Sequence, residues 1–305
     1  MGLLDNLTKH IQYNLILKQL RIFHWSKNLI LFIPAIASHK IFTHGVFTNS
    51  LMGFFSFSLL ASSIYIINDI IDRENDKTHI QKMSRPIASG DLTIFKATIL
   101  CIICISGALY IALIIGKNFL IIVSTYIFIN LIYSLFLKKI IVLDIITLMI
   151  FYLLRLIAGH FPSNIPLSSW LIACTIFLFF SLGLLKRFID LKINSENKKY
   201  FSKVNIYHQE DSVVIMMIGV ASGLISALIL ILYTNSSNVR ILYSSPIILI
   251  GLAPLMLYWI SRLWFLAYRG SLKMDPVHFA LKDINSYIIA ITGAFCICIA
   301  KYFMI

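Results

Sequence analysis

Acidic residues are scarce in this sequence: 13 Asp and Glu stand against 26 Lys and Arg, and charged residues of both signs make up only 13% of the 305 positions. Soluble domains carry about 25% charged residues. The deficit excludes an ordinary water-soluble fold. Glycine (13) and proline (7) are few. No Ser/Pro/Gly-rich linker and no internal repeat breaks the chain, so residues 1–305 read as one domain. Cysteine is also sparse. Cys101, Cys104, Cys174, Cys296 and Cys298 all fall inside apolar stretches. The CxxC at Cys101 and Cys104 therefore reads as small packing residues in a lipid-buried helix, with no partner histidines for a metal. The histidines show no zinc-ligand spacing.

Apolar sequence is what the chain has in excess: 59% of residues, with a mean hydropathy of +0.87. Runs long enough to cross a bilayer lie near 21–39, 46–71, 92–115, 117–137, 141–160, 166–185, 212–233, 240–265 and 284–304. They are continuously apolar, without the period-two alternation of a barrel, so the expectation is an all-α polytopic membrane protein with about nine transmembrane helices. Only Gly116, Lys117 and Asn118 separate the third run from the fourth. Leu3, Leu7, Ile11 and Leu15 recur at helical spacing, which reads as an amphipathic helix over 1–20 lying on the membrane. Asp5, Lys9 and Lys18 interrupt that stretch, so no cleavable signal peptide is expected.

The formal net charge of +13 invites a nucleic-acid partner, but its distribution argues against one. With a cytosolic N-terminus, the outside segments hold only Lys40, Lys117, Arg240 and Lys301. Every other Lys and Arg except Arg155 falls inside. The positive-inside bias sets the N-terminus in the cytosol and the C-terminus outside. The loops at 72–91, 186–211 and 266–283 are then cytosolic, and the excess basic charge favours anionic lipids and phosphate substrates.

The acids that exist are concentrated where a helix meets the cytosol: Tyr65-Ile-Ile-Asn68-Asp69-Ile-Ile-Asp72-Arg-Glu-Asn-Asp76. Asp69, Asp72 and Asp76 at i, i+3 and i+7 fall within a sector of roughly 60° on a helix, with Tyr65 on the same stripe and Glu74 pointing away. Three carboxylates at the edge of a low-dielectric medium call for cations. Their axial spread of about 10 Å suits one or two Mg²⁺ ions holding a diphosphate. Lys82 and Arg85-Pro86 follow with two cations for phosphate oxygens. The alternative is a solvated helix end whose charges pair with Arg73, Lys77 and Lys82.

The pattern Asn68-Asp69-x-x-Asp72-x-x-x-Asp76, then Lys82-x-x-Arg85-Pro86, resembles the first signature of the UbiA-type intramembrane prenyltransferase superfamily. The resemblance implies nine transmembrane helices around a central cavity and a Mg²⁺-diphosphate site at Asp69, Asp72 and Asp76. A second site selects the branch. Where the aromatic prenyltransferases of that superfamily carry a second aspartate-rich motif, this chain has Lys186-Arg187-Phe188-Ile189-Asp190-Leu191. One carboxylate beside two cations suits an anionic second substrate such as a lipid phosphate. The alternative is a positive-inside helix end.

The stretch is similar to that of the polyprenyl-phosphate phosphoribosyltransferase branch, from which it departs at Phe188, Asp190 and, earlier, Ile22. Arg21-x-x-x-Trp25-x-Lys27-Asn28, Tyr133-Ser134 to Lys138, Leu143-Asp144, Leu154-Arg155 and Asp275-Pro276 extend the likeness over residues 20–290. That branch implies a bacterial inner-membrane enzyme with a cytosolic active site, moving 5-phosphoribosyl from phosphoribosyl diphosphate to a polyprenyl phosphate for cell-envelope glycans. Lys27, Asn68, Lys82, Arg85, Tyr133, Lys138, Arg155 and Asp190 would bind substrate, and Lys186 and Arg187 would act with the three aspartates. Arg155, inside the fifth run, either lines the cavity, near phosphate or pairing with an acid such as Asp144, or makes a structural interhelix hydrogen bond to backbone carbonyls. Tyr133 and Lys138 read equally as phosphate contacts and interface anchors, and Asp275-Pro276 as a helix N-cap or a lid. The rival functions are prenyl transfer to an aromatic acceptor and, in another class, a cation-binding transporter or scaffold.

Overall fold

A computed structural model describes residues 15–78, 82–196 and 206–303. The expected amphipathic helix lies outside them up to residue 14; residues 15–20 are helical. All regular structure among the described residues is helical. Eight helices carry the apolar length to cross a membrane: α1 (Val46–Ile71), α2 (Ile94–Ile115), α3 (Lys117–Leu135), α4 (Leu143–Ser163), α5 (Ser169–Glu196), α6 (Ser212–Thr234), α7 (Leu252–Tyr268, extended by a 3₁₀ turn from Pro246) and α8 (Ile284–Tyr302). The break at Gly116 is real, with Gly116 at a φ of 136° between α2 and α3, a conformation that residues with side chains rarely adopt.

Three expected boundaries shift. The first run is shorter and mostly 3₁₀, Ile22–Phe32, finishing as a short α-helix at Ile33–Ala37. The eighth starts at Pro246, because Ser237–Leu242 forms a separate short helix. The sixth continues to Glu196, so Lys186, Arg187 and Asp190 lie on α5 and not in the loop after it. Phe188, Ile189 and Leu191 are buried, which gives the helix an apolar face to continue on.

The chain forms two compact units, one from residues up to Ser134 with Leu154–Pro166, the other from Leu135–Leu153 and Leu167 onward. In the first, the segment 19–32 runs antiparallel to α1 along a polar stripe at Ser58, Ser62, Tyr65 and Asp69, spaced as one helix face. Asn28 donates to Ser58, Trp25 to Ser62, and Ser62 to the Leu20 carbonyl; His24 packs on Tyr65. Farther along, Phe32 packs on Phe54 and Phe47. Small residues let backbones approach in membranes. A Cβ on Gly159 would meet the Leu31 carbonyl oxygen at 2.2 Å, so no side chain fits there without backbone movement.

The second unit packs α5, α6 and α7 on Gly219-x-x-x-Gly223. The Gly219 carbonyl accepts from Ser181, and Ser222 donates to the Phe177 carbonyl. Trp264 occupies the space a Cβ on Gly219 would need.

Candidate functional site

In the first unit, α1 ends at Ile71 and a short helix, Arg73–Thr78, takes over after Asp72. The turn is nearly seamless, since Asp72 N–H donates to the Asn68 carbonyl and Asp76 N–H to that of Asp72. Asp69 and Asp76 of the expected stripe are therefore brought together across the break. One guanidinium nitrogen of Arg85 lies 3.0 Å from Asp69 Oδ1 and 2.6 Å from Asp76 Oδ2, which puts both buried carboxylates on one face. Lys82 stands 3.9 Å from Asp76. Arg85 reaches back because Pro86 opens the short helix Pro86–Ser89, with Arg85 extended at its N-cap.

Two residues arrive from the preceding segment. Arg21, with φ of 51° in the left-handed region, donates through one nitrogen to Asp69 Oδ1 at 2.6 Å and Oδ2 at 2.8 Å, and its guanidinium lies over the Tyr65 ring. A non-glycine residue held in that conformation costs about 1 kcal/mol or more and marks a place where surroundings dictate the backbone. Gln19, 1% exposed, donates from Nε2 to Asp69 Oδ2 at 3.0 Å.

Asp69 thus accepts from three side chains. Asp72, by contrast, is half-buried and its carboxylate has no partner among the described residues. Glu74 turns away, pairing with Lys77, whose ammonium holds its exposed carboxyl below the usual range. Asp69 and Asp76 face Arg21, Lys82 and Arg85. With the cations seated on them, no group of three metal-ligating side chains is formed among the described residues. The donor chemistry still fits a hard divalent cation. Asp72 is free to ligate, and an anionic ligand offering phosphate oxygens to the arginines would release Asp69 and Asp76.

The remaining expected residues of this unit divide. Asn68 accepts from Ser134 at 3.4 Å, next to the cluster in sequence but outside its ion pairs. Arg155 is buried, donates to Asn28 Oδ1 at 2.7 Å and to the Tyr126 hydroxyl, and lies over the Tyr126 ring. This is the interhelix hydrogen-bonding role, made to side chains. Lys27 and Tyr133 are half-buried on the segment before α1 and at the end of α3.

In the second unit, Arg187 donates from Nε to Asp144 Oδ2 at 2.7 Å and lies 3.4 Å from Asp190 through Nη1. The expected Asp144–Arg155 pair is not the one formed. Eleven residues are three helical turns, beyond an arginine's reach along its own axis, and Arg187 reaches Asp144 laterally. Asp144 is fully buried in the first turn of α4, where the helix dipole favours an anion. Its other oxygen accepts from the Tyr207 hydroxyl at 2.6 Å, and that hydroxyl accepts from the N–H of Val142. Val142 has φ of 68°, an outlier for a β-branched residue. Burial first, then the Asp144 carboxylate, pushes the Tyr207 hydroxyl above its ordinary pKa.

Lys186 stands 3.8 Å from Asp275. Asp275 also caps the helix Pro276–Ala280 by accepting from the N–H groups of Val277 and His278, as a helix N-cap should. Lys138 makes no ion pair among the described residues, in a 3₁₀ turn over Leu137–Lys139.

Sequence reasoning did not single out Gln19 or Tyr207. Gln19 sits where helical spacing signals only amphipathicity. Tyr207 follows a charged stretch with no motif around it.

The profile of the UbiA prenyltransferase family matches residues 29–279. The chain is 31% identical to the Sinorhizobium fredii protein y4nM over 90% of this chain and 53% of that one. It is 28% identical to nodulation protein NoeC of Azorhizobium caulinodans over 87% and 86%. It is 34% identical to decaprenyl-phosphate phosphoribosyltransferase of Mycolicibacterium smegmatis over 58% and 57%. The chain thus spans little more than half the length of the first and third of these relatives. Its fold is similar to that of a UbiA homologue from Archaeoglobus fulgidus bound to GPP and Mg²⁺, with a TM-score of 0.64 and 16% identity over 93% of this chain and 99% of that one. A helical membrane fold and the profile match over most of the length agree: the chain belongs to the UbiA prenyltransferase family.

Proposed function

We propose that this protein is a membrane transferase that moves 5-phosphoribosyl from phosphoribosyl diphosphate to a polyprenyl phosphate and releases diphosphate. The observation that carries the reading is the pair of cations in the second cluster. Lys186 and Arg187 are adjacent on α5, where a second metal-diphosphate site would present carboxylates alone, and the three carboxylates near them, Asp144, Asp190 and Asp275, each lie within ion-pair distance of one of these cations. The likeness to decaprenyl-phosphate phosphoribosyltransferase supports the same donor and acceptor.

Asp69, Asp72 and Asp76 are the residues that would hold Mg²⁺, which would supply positive charge to a diphosphate leaving group. Arg21, Lys82 and Arg85 already carry the cationic charge that diphosphate oxygens require. A diphosphate that took the guanidinium groups of Arg21 and Arg85 would give those cations bonds of equal kind, and the carboxylates of Asp69 and Asp76 that it released would be the ones to hold the metal ion. Arg187, fixed by Asp144 and Tyr207, and Lys186 would hold the lipid phosphate. That nucleophile is already ionised, so no general base is required, and the side chains act by position and charge. Transfer of a prenyl group to an acceptor is the second reading, favoured by the Archaeoglobus fulgidus homologues bound to GPP and DMAPP.

The test is substrate dependence in purified protein. Lys186→Gln is the cleanest variant, because its pair with Asp275 is loose and partly exposed. It should raise KM for polyprenyl phosphate by roughly one to two decades, the worth of a charge-assisted hydrogen bond, and leave KM for phosphoribosyl diphosphate near wild type. Arg187→Lys keeps the charge but loses the fork geometry and should fall in between. Wild-type lipid dependence in both variants would sink the reading in favour of prenyl transfer.

A further inference from the structure

Gln19 contributes half of its amide to the acidic cluster and leaves the other half unmatched. Its Nε2 donates to Asp69 Oδ2, and since an ionised carboxylate only accepts, the orientation of the amide is fixed. The oxygen Oε1 is then turned away from Asp69 on the same planar group. It is buried, on a residue 1% exposed, and has no hydrogen-bond partner among the described residues. A buried acceptor without a donor costs about 1–3 kcal/mol. It sits one amide width from a carboxylate of the cluster, with Arg21 two residues on gripping the same carboxylate.

We infer that Gln19 Oε1 accepts a hydrogen bond from a sugar hydroxyl of the diphosphate donor, making Gln19 a specificity-determining residue for a hydroxylated donor. The argument is one of elimination by chemistry. A diphosphate and an ionised lipid phosphate offer acceptors only. A prenyl chain offers C–H groups. Cationic side chains at the cluster already donate to Asp69 and Asp76. A ribosyl group brings O–H donors attached to the diphosphate itself, within reach of a residue bonded to the carboxylate that would help hold it. A site built to hydrogen-bond a hydroxyl rejects an analogue lacking it far more strongly than an apolar pocket rejects a methylene, because the acceptor is left unpaired. The inference deepens the proposed function and rests on it. A metal-bound water is the other source of an O–H donor, and the experiment separates the two.

The measurement is equilibrium binding to the purified full-length chain with Mg²⁺, using phosphoribosyl diphosphate, its analogues lacking one ribosyl hydroxyl, inorganic diphosphate and geranyl diphosphate. Wild type should bind phosphoribosyl diphosphate about ten-fold or more tighter than at least one deoxy analogue. Gln19→Met, close in size and without the amide, also removes the bond to Asp69, so its loss on phosphoribosyl diphosphate should exceed by that factor whatever loss it shows on inorganic diphosphate and on the same deoxy analogue. Two results overturn the inference and leave the donor reading standing: a wild type that ignores the missing hydroxyls, or a Gln19→Met loss that falls equally on inorganic diphosphate, which assigns the amide to Asp69 or a metal-bound water. A wild type that binds geranyl diphosphate and not phosphoribosyl diphosphate overturns the donor reading and this inference with it.

Discussion

Asp69 and Asp72 are three residues apart and sit in opposite electrostatic surroundings, so the same substitution should act differently on each. Asp69 is 3% exposed and accepts from Arg21, Arg85 and Gln19. Asp69→Asn removes the charge that these donors were arranged around, and the two partly exposed arginines are left with one fewer anion. The expected cost is about 1.5–3 kcal/mol of stability together with loss of turnover. Asp72 has no partner among the described residues. Asp72→Asn should leave thermal unfolding in detergent within about 0.5 kcal/mol of wild type and still abolish turnover at limiting Mg²⁺. Full activity of Asp72→Asn under that condition would remove Asp72 from the metal set. That Asp69 and Asp76 share a face was legible from spacing alone, and so was the return of Arg85. What spacing hid was the part of Arg21, which reaches Asp69 from a segment whose own conformation breaks the helical rule.

At the scale of elements, local capping was legible where helix boundaries and helix continuity were not. Asp283 and Asp275 both precede helices and both cap them by accepting backbone N–H groups, a local rule that needs no tertiary contact. The run of α5 past Lys186 and Arg187 was not legible, because charge suggested a loop while the buried Phe188, Ile189 and Leu191 kept the helix wound. The Asp283 cap has a pH signature. Hydrogen bonds from Arg262, then from Ser286, hold its carboxyl below the usual carboxylate range. A depressed folded-state pKa contributes stability that is complete above the unfolded value, about 3.9, and is lost as pH falls through the folded value beneath it. Acid unfolding of wild type should therefore show a component below about pH 4 that Arg262→Gln shifts toward higher pH. Identical acid profiles for the two proteins would show that the pair contributes nothing to the fold.

At the scale of the whole molecule, the open question is how many times the chain crosses the bilayer, and the first unit bears on it. Ile22–Ala37 has too few residues for an α-helical span. Yet 11 residues of 3₁₀ helix at about 2.0 Å each and five of α-helix at about 1.5 Å rise about 30 Å, the thickness of a hydrocarbon core. Its contacts follow the same course. Arg21 meets Asp69 near one end of α1, Asn28 meets Ser58 at its middle, and Phe32 meets Phe47 near the other end. If this segment crosses the membrane alongside α1, it supplies the ninth crossing expected from the sequence beside the eight long helices. Parity then separates the alternatives: nine crossings put the ends of the chain on opposite faces, eight put them on the same face. In a cysteine-free background, single cysteines at Lys18, Ser89 and His208 should resist a membrane-impermeant thiol reagent in intact cells and react after lysis. Cysteines at Thr43 and Phe303 should react without lysis, as expected for segments poor in Lys and Arg outside the cell. If Lys18 instead labels together with Thr43, Ile22–Ala37 lies on the membrane and the count is eight. If Ser89 and His208 label in intact cells while Thr43 does not, the charge bias has been read with the wrong sign.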